Sequence, residues 1–309
     1  MSTAQKISFV IPVYRNEKAV TLTYEKIKGA LATDLSTYDY EFVFVDDGSD
    51  DGSLRELLGL RDKDPRVRII SFTRNFGQMA AILAGLKGAT GDVILHLSAD
   101  LQDPVELIPR MVRDYESGSE LVIGHRAERA DSWTSRVTSR LFYRIVRVSF
   151  PQMPAGGFDY VLMARRVVDS FNQIEVRNRF FQGDLLWMGY KTTFIPYTRA
   201  KRTIGRSQYT FAKRLKNSLD AILDSSYLPI RFISAAGAVF AFLGFLYALN
   251  IAYWRVTHHV PFPGLAPIMI LILVIGGLLM LMLGIIGEYI WRIYDEVKKK
   301  PNYIIRDTY

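Results

Sequence analysis

Two carboxylate clusters and one block of cations are the residues of this 309-residue chain whose types and spacing suit chemistry. Asp46, Asp47, Asp50 and Asp51 alternate with Gly48, Ser49 and Gly52, and Asp100 and Asp103 stand in Ser98-Ala99-Asp100-Leu101-Gln102-Asp103-Pro104. Carboxylates, amides and hydroxyls are hard oxygen donors. With no Cys and only four His in the chain, a bound metal must be held mainly by oxygen, which suits Mg2+ or Mn2+ better than Zn2+. The lack of Cys also excludes a disulfide framework and a thiolate nucleophile. Neither G-x-x-x-x-G-K-[ST] nor G-x-G-x-x-G occurs, so P-loop and Rossmann dinucleotide binding both lose support.

The cations lie elsewhere. Residues 1–124 carry 14 basic and 19 acidic groups, residues 125–216 carry 18 and 6, and residues 217–309 carry 7 and 6. The middle third, at net +12, therefore supplies the whole formal excess of +8. A basic block followed by a strongly apolar segment points to anionic lipid phosphate or a membrane surface rather than to nucleic acid.

These residues need elements to position them. Apolar runs predict strands near 7–13, 41–46, 67–72, 92–97 and 121–123, separated by amphipathic helices near 19–32, 53–63, 78–88 and 105–116. Such alternation implies an α/β fold with a mostly parallel sheet flanked by helices, whose ligands bind beyond the carboxyl ends of the strands. The polar segments after strands one to four all fall at those ends.

Two uncharged runs follow, 232–254 and 260–287. At about 1.5 Å per residue, helices over 230–254 and 267–290 match a hydrocarbon core of roughly 30 Å. Tyr253, Trp254, Tyr289 and Trp291 sit where interfacial aromatics are expected. Cations concentrate on the side of Lys213, Arg231, Arg292 and Lys298–Lys300, so the positive-inside rule expects a multi-pass anchor in a cell membrane with both termini cytoplasmic. The expected organisation is a cytoplasmic domain over 1–209 that includes an amphipathic helix near 133–149. A juxtamembrane helix over 210–228, two transmembrane helices within 229–292 and a basic tail over 293–309 follow it.

The ordered set PVYRNE (12–17), FVDDGSDDGS (44–53), RNFGQMAA (74–81), SADLQDP (98–104), IGHRAER (123–129) and RTIGRSQY (202–209) resembles the family 2 glycosyltransferases. Within them it is most similar to the polyprenyl-phosphate branch, the bactoprenol glucosyltransferases and dolichol-phosphate mannose synthases. The resemblance implies a GT-A fold, a nucleotide-sugar donor, a divalent cation (Mg2+ or Mn2+) and a lipid-phosphate acceptor.

It also assigns roles. Pro12, Tyr14 and Glu17 would frame the nucleotide, and Asp46 would contact the base. Asp100 and Gln102 would hold the cation beside Ser98 and Ala99. Ser98 stands where the family carries the first Asp of D-x-D, which leaves one charged ligand. Arg126 would face the diphosphate, and Arg202 and Gln208 belong to a loop that closes over the donor. Arg136, Arg140, Arg144 and Arg147 recur every three or four residues on one face of a basic amphipathic helix. The resemblance makes Arg140 the acceptor-phosphate contact, with Arg136 and Arg144 beside it at the membrane surface. Asp159 matches an acidic position near the acceptor, as a base or as an orienter of Arg side chains.

The processive signature Q-x-x-R-W is missing after Gln182, which favours single transfer. The reading is an inverting glycosyltransferase that moves one hexose, glucose from UDP-glucose, to undecaprenyl phosphate at the cytoplasmic face. GDP-mannose or another nucleotide sugar is the alternative donor. The partners are then the nucleotide sugar, the lipid and the membrane, with room for a homo-oligomer and a downstream flippase and no nucleic acid. A non-catalytic subunit of a lipid-sugar flippase is the more distant alternative, disfavoured by apolar helix centres without a charged transport path.

Overall fold

The computed structural model describes residues 5–126, 228–258 and 265–309, and 143–198 apart from 145, 155, 175, 177 and 178. The chain divides into two compact units, Met1–Asp224 with Pro301–Tyr309, and Ser225–Lys300.

The first unit is built on an eight-stranded mixed sheet in the order β7-β5-β6-β4-β1-β2-β3-β8. Its strands are β1 (Lys6–Val13), β2 (Asp39–Asp46), β3 (Val67–Phe72), β4 (Val93–His96), β5 (Leu121–Arg126), β6 (Tyr160–Ala164), β7 (Thr192–Tyr197) and β8 (Ile305–Thr308). Helices α1 (Ala19–Asp34), α2 (Ser53–Arg61), α3 (Gln78–Gly88), α4 (Ile108–Glu116), α5 (Arg165–Gln173) and α6 (Phe181–Trp187) accompany them among the described residues. Side chains alternate along each strand, so the sheet carries two cores. Ile7, Phe9, Ile11, Phe42 and Phe44 face the cluster that takes α1 and α4, while Val10, Val43, Val45 and Ile94 face the cluster that takes α3 and α5. A Cβ on Gly85 would lie 2.4 Å from Val10 Cγ1, so glycine is what lets α3 sit close on the sheet.

The five expected strands and four expected helices of residues 6–124 are all present, with β5 running on to Arg126. The sheet is less parallel than expected: β4–β6, β5–β6 and β3–β8 are antiparallel, against four parallel pairings. One boundary is corrected. Residues 293–309 are not one basic tail, because residues 301–309 belong to the first unit and β8 adds a strand to the free edge of β3.

The second unit contains α7 (Leu228–His258) and α8 (Leu265–Val297). Ile233–Ile251 and Val274–Val297, with mean hydropathies of 1.7 and 1.9, are long and apolar enough to cross a membrane. Leu243, Phe245, Leu281 and Leu283 are more than half exposed, which a core helix of a water-soluble domain does not show.

Candidate functional site

Sheet direction brings the site together. Strands β1, β2, β3 and β4 are mutually parallel, so Tyr14, Asp46, the 74–77 turn and Ser98 all follow carboxyl ends on one edge of the sheet. β6 runs against β4 and β5, so its first residue, Tyr160, and Asp159 before it come to that same edge. β7 runs parallel to β5 and pairs Tyr197 with Arg126 there. Seven segments spread over about 185 residues, from Tyr14 to Tyr197, thus come to one edge of the sheet.

On the β1–β2–β3 side, polar contacts between loops set the shape. The Arg15 N–H donates to Ser49 Oγ (3.1 Å), the Asn16 N–H to Ser53 Oγ (2.9 Å) and the Glu17 N–H to Asp51 Oδ2 (3.3 Å). The Arg15 guanidinium holds Asp50 through two 2.6 Å bonds, and Glu17 Oε1 lies 3.8 Å from Arg55. Pro12, Tyr14 and Glu17 are partly buried along this wall. Asp46 is fully buried and accepts from the Ser49 N–H and the Ser71 hydroxyl, both at 3.2 Å. Burial pushes its carboxyl above the usual range, against those bonds.

Its neighbour Asp47 does a different job. Its two oxygens accept the backbone N–H groups of Phe76 (2.6 Å) and Gly77 (2.9 Å), which pins the Arg74–Gly77 turn to the end of β2. Burial lifts Asp47 to about 6 even with both bonds in place. Gly48 is left-handed (φ 65°), and a Cβ there would strike the Arg74 carbonyl carbon at 2.4 Å, so the two turns interlock through a glycine.

In the centre, the segment after β4 folds back on itself. Ser98 donates its N–H (3.0 Å) and its hydroxyl (2.5 Å) to Asp103 Oδ2, and the hydroxyl also lies 2.9 Å from Asp100 Oδ1. The Gln102 N–H donates to that same Asp100 oxygen at 3.2 Å. The turn forces Leu101 into a left-handed conformation (φ 56°), which a Leu adopts only when surrounding contacts hold it there. Ala99 is buried, and its carbonyl accepts the Thr23 hydroxyl at 3.0 Å. Asp103 is buried too, and its second oxygen accepts the Tyr197 hydroxyl at 2.9 Å. Burial, then the Asp103 charge, raises the Tyr197 phenol well above its usual value, so it stays protonated as the donor.

On the β5–β6 side, Arg126 Nη2 donates to Asp159 Oδ2 at 3.1 Å. The Arg126 side chain is 17% exposed against 49% for Asp159, so the carboxylate is the more solvent-accessible partner of the pair. Gln182 Nε2 donates to the Phe158 carbonyl (2.6 Å) and lies 3.4 Å from Asp159 Oδ1, which fixes the turn that presents Asp159.

The structure therefore places Pro12, Tyr14, Glu17, Asp46, Ser98, Ala99, Asp100, Gln102, Arg126 and Asp159 on one edge of the sheet. Arg136, Arg140, Arg202 and Gln208 lie outside the described residues. Arg144 is exposed on a helical segment of which 143, 144 and 146–149 are described. Sequence reasoning gave no role within the site to Asp103, Tyr197 or Gln182. Asp103 stands inside SADLQDP and reads there as a helix-start residue before Pro104. Tyr197 ends a short alternating run whose strand sits at the margin of the sheet.

The groups that could hold a divalent cation here, the Asp100 carboxylate, the Gln102 amide and the Ser98 hydroxyl, are all oxygen donors. That fits Mg2+ or Mn2+ bound jointly with ligand oxygens, not a cage built by protein alone. Among the described residues, no group of three or more His, Asp or Glu converges as a self-sufficient metal site.

A mixed α/β sheet thus carries a DDGS turn, an S-x-D turn and an Arg–carboxylate pair along its carboxyl edge, where the resemblance to family 2 glycosyltransferases expects the site. The family model for "Glycosyl transferase family 2" matches residues 8–201. The chain is 36% identical over 307 residues to the "Prophage bactoprenol glucosyl transferase homolog" of Escherichia coli (strain K12), covering 97% of this chain and 98% of that one. It is 37% identical over 311 residues to the "Uncharacterized glycosyltransferase YkcC" of Bacillus subtilis (strain 168), covering 100% and 96%. The "SfII prophage-derived bactoprenol glucosyl transferase" of Shigella flexneri matches at 35% over 306 residues and 98% of both chains. The chain belongs to glycosyltransferase family 2.

Proposed function

We propose that this enzyme transfers one glucose from UDP-glucose to undecaprenyl phosphate at the cytoplasmic face of a membrane, with inversion at the anomeric carbon. The observation that carries the reading is the one sheet edge that brings together buried Asp46, the Ser98–Asp103 turn and the Arg126–Asp159 pair, which would line a crevice for the donor. The full-length similarity to relatives named bactoprenol glucosyl transferases supports a polyprenyl-phosphate acceptor. The two apolar helices, of 31 and 33 residues, suit an anchor that keeps the active unit beside its lipid substrate.

The roles follow from the chemistry. Asp46 accepts from N–H groups on the nucleobase edge, with Pro12, Tyr14 and Glu17 framing the nucleotide. Asp100 and Gln102 hold the divalent cation, which neutralises diphosphate charge when bound. Arg126 stabilises charge on the departing diphosphate, joined by Arg202 and Gln208. A phosphate monoester has a second pKa near 6 and is already largely anionic at neutral pH, so it needs little help from a base. Positioning by Arg136, Arg140 and Arg144 then matters more than proton abstraction, and Asp159 orients the Arg126 side chain.

The test is transfer itself. Purified chain in detergent is incubated with radiolabelled UDP-glucose or GDP-mannose, undecaprenyl phosphate and Mg2+ or Mn2+. Label entering the lipid fraction from UDP-glucose is expected. Label from GDP-mannose alone would change the donor, and none from any nucleotide sugar would refute the reading.

A further inference from the structure

The C-terminal segment returns to the first unit at a specific place. β8 pairs antiparallel with β3 through Ile70–Thr308, Ser71–Asp307 and Phe72–Ile305. Because it runs against β3, its first residues lie at the carboxyl end of β3, on the edge that forms the crevice. There the Thr73 N–H donates to the Ile304 carbonyl at 3.1 Å and Arg306 Nη2 donates to the Thr73 carbonyl at 2.9 Å. The Tyr303 ring stacks on Phe72 with centroids 5.0 Å apart and an 11° tilt, and Phe72 meets Phe76 edge-on at 5.8 Å.

Phe76 is the residue whose backbone N–H Asp47 holds, and Ser71, inside the paired stretch, is the hydroxyl donor to Asp46. Both carboxylates at the end of β2 are thus backed by β3, and β3 is backed on its outer side by residues 303–309. Without β8, β3 would be the edge strand of the sheet, paired with β2 alone, and the Thr73 N–H and carbonyl would lose the partners that residues 304 and 306 supply.

We propose that Tyr303 and Arg306 are positioning residues for the nucleotide-base wall of the crevice: the C-terminal segment fixes the Thr73–Gly77 turn and, through Ser71, the Asp46 carboxylate that recognises a nucleoside diphosphate. This rests on the assignment of Asp46 to the base. It assigns to the chain's last nine residues a function that charge and hydropathy in the sequence do not suggest.

The experiment measures dissociation constants for UDP and GDP by calorimetry on the full chain in detergent, together with KM for undecaprenyl phosphate. The variants are Tyr303→Ala, Tyr303→Phe and Arg306→Ala. Tyr303→Ala removes one stacked aromatic pair and is expected to weaken nucleotide binding by about fivefold, and Arg306→Ala by about threefold. The acceptor KM should stay within about twofold in each, and Tyr303→Phe, which keeps the stack, should bind like the parent. Amide exchange at Phe76 and Gly77 should quicken in Tyr303→Ala while that of β1 holds. If Tyr303→Ala loses protection across β1 as well, Arg306→Ala decides. Parent-like nucleotide affinity in both Ala variants would overturn the proposal alone; a parent chain that binds neither nucleotide would overturn it together with the assigned function.

Discussion

Asp103 gives the sharpest prediction, because its surroundings are fully specified. The side chain is 3% exposed and accepts three bonds: from the Ser98 N–H (3.0 Å), the Ser98 hydroxyl (2.5 Å) and the Tyr197 hydroxyl (2.9 Å). Asp103→Ala leaves those donors facing a void. Net losses of roughly 1.5–3 kcal/mol per bond to a charged acceptor would sum past what is measured for buried polar deletions, since neighbours relax. A cost of about 4 kcal/mol is the working figure. In a unit of this size each kcal/mol lowers Tm by about 2–4 °C, so a fall of about 10 °C is expected by thermal melting in detergent.

Asp103→Asn keeps the volume and an acceptor for Ser98. It should cost about 1–2 kcal/mol, or about 4 °C. The same turn carries Asp100, whose Oδ1 shares the Ser98 hydroxyl with Asp103 at 2.9 Å. A hydroxyl has one proton, so losing Asp103 re-aims Ser98 and with it Asp100. A displacement near 1 Å in a reacting constellation costs on the order of 10²-fold in turnover, which the transferase assay would register in both variants. An Ala variant melting within about 2 °C of the parent would refute the energetic argument. Parent turnover in the Asn variant would show that the turn does not position Asp100.

Four further outcomes follow from the structure. Asp100→Ala should abolish metal-dependent turnover, whereas Ser98→Asp places a third carboxylate against Asp100 and Asp103. Its Tm should fall without divalent cation and recover with Mn2+ more than the parent's rises, and equal Mn2+ responses would count against position 98 lying at the cation. Arg126→Gln should cut kcat/KM by about 10²-fold while changing stability by under about 1 kcal/mol, because its partner Asp159 is half exposed; unaltered kcat/KM would remove Arg126 from the site. Glu41 lies toward the amino ends of the strands, away from the crevice. Burial alone would raise it, but Ser8, Thr90 and Lys6 hold it down from 4.5 to about 2. Its stabilising contribution is therefore complete above about pH 4.5 and is lost as pH falls toward 2, worth about 3 kcal/mol. Glu41→Gln should flatten that acid limb of the stability curve and leave kcat alone; an unchanged limb would refute the assignment.

The alternation of strands and helices through residue 124 was legible in the sequence because periodicity is a local property, written into each segment by which face it buries. The carboxylates of 46–51 and 98–103 were legible as strand-end residues for the same reason, and the two long apolar helices because the run of uncharged residues needs no partner to be recognised. What no local pattern carries is pairing across distance. Asp103 meets Tyr197 from 94 residues away, Arg126 meets Asp159 from 33, and Phe72 stacks on a Tyr303 that follows both apolar helices. Strands β6 and β8 enter antiparallel, and only that direction puts Asp159 and Tyr303 at the carboxyl edge; parallel entry would have sent them to the opposite side of the sheet. The sequence by itself determined which groups the chain offers for chemistry. The tertiary structure decided which of them meet, because strand order and direction depend on the whole sheet closing around its two cores rather than on any one segment.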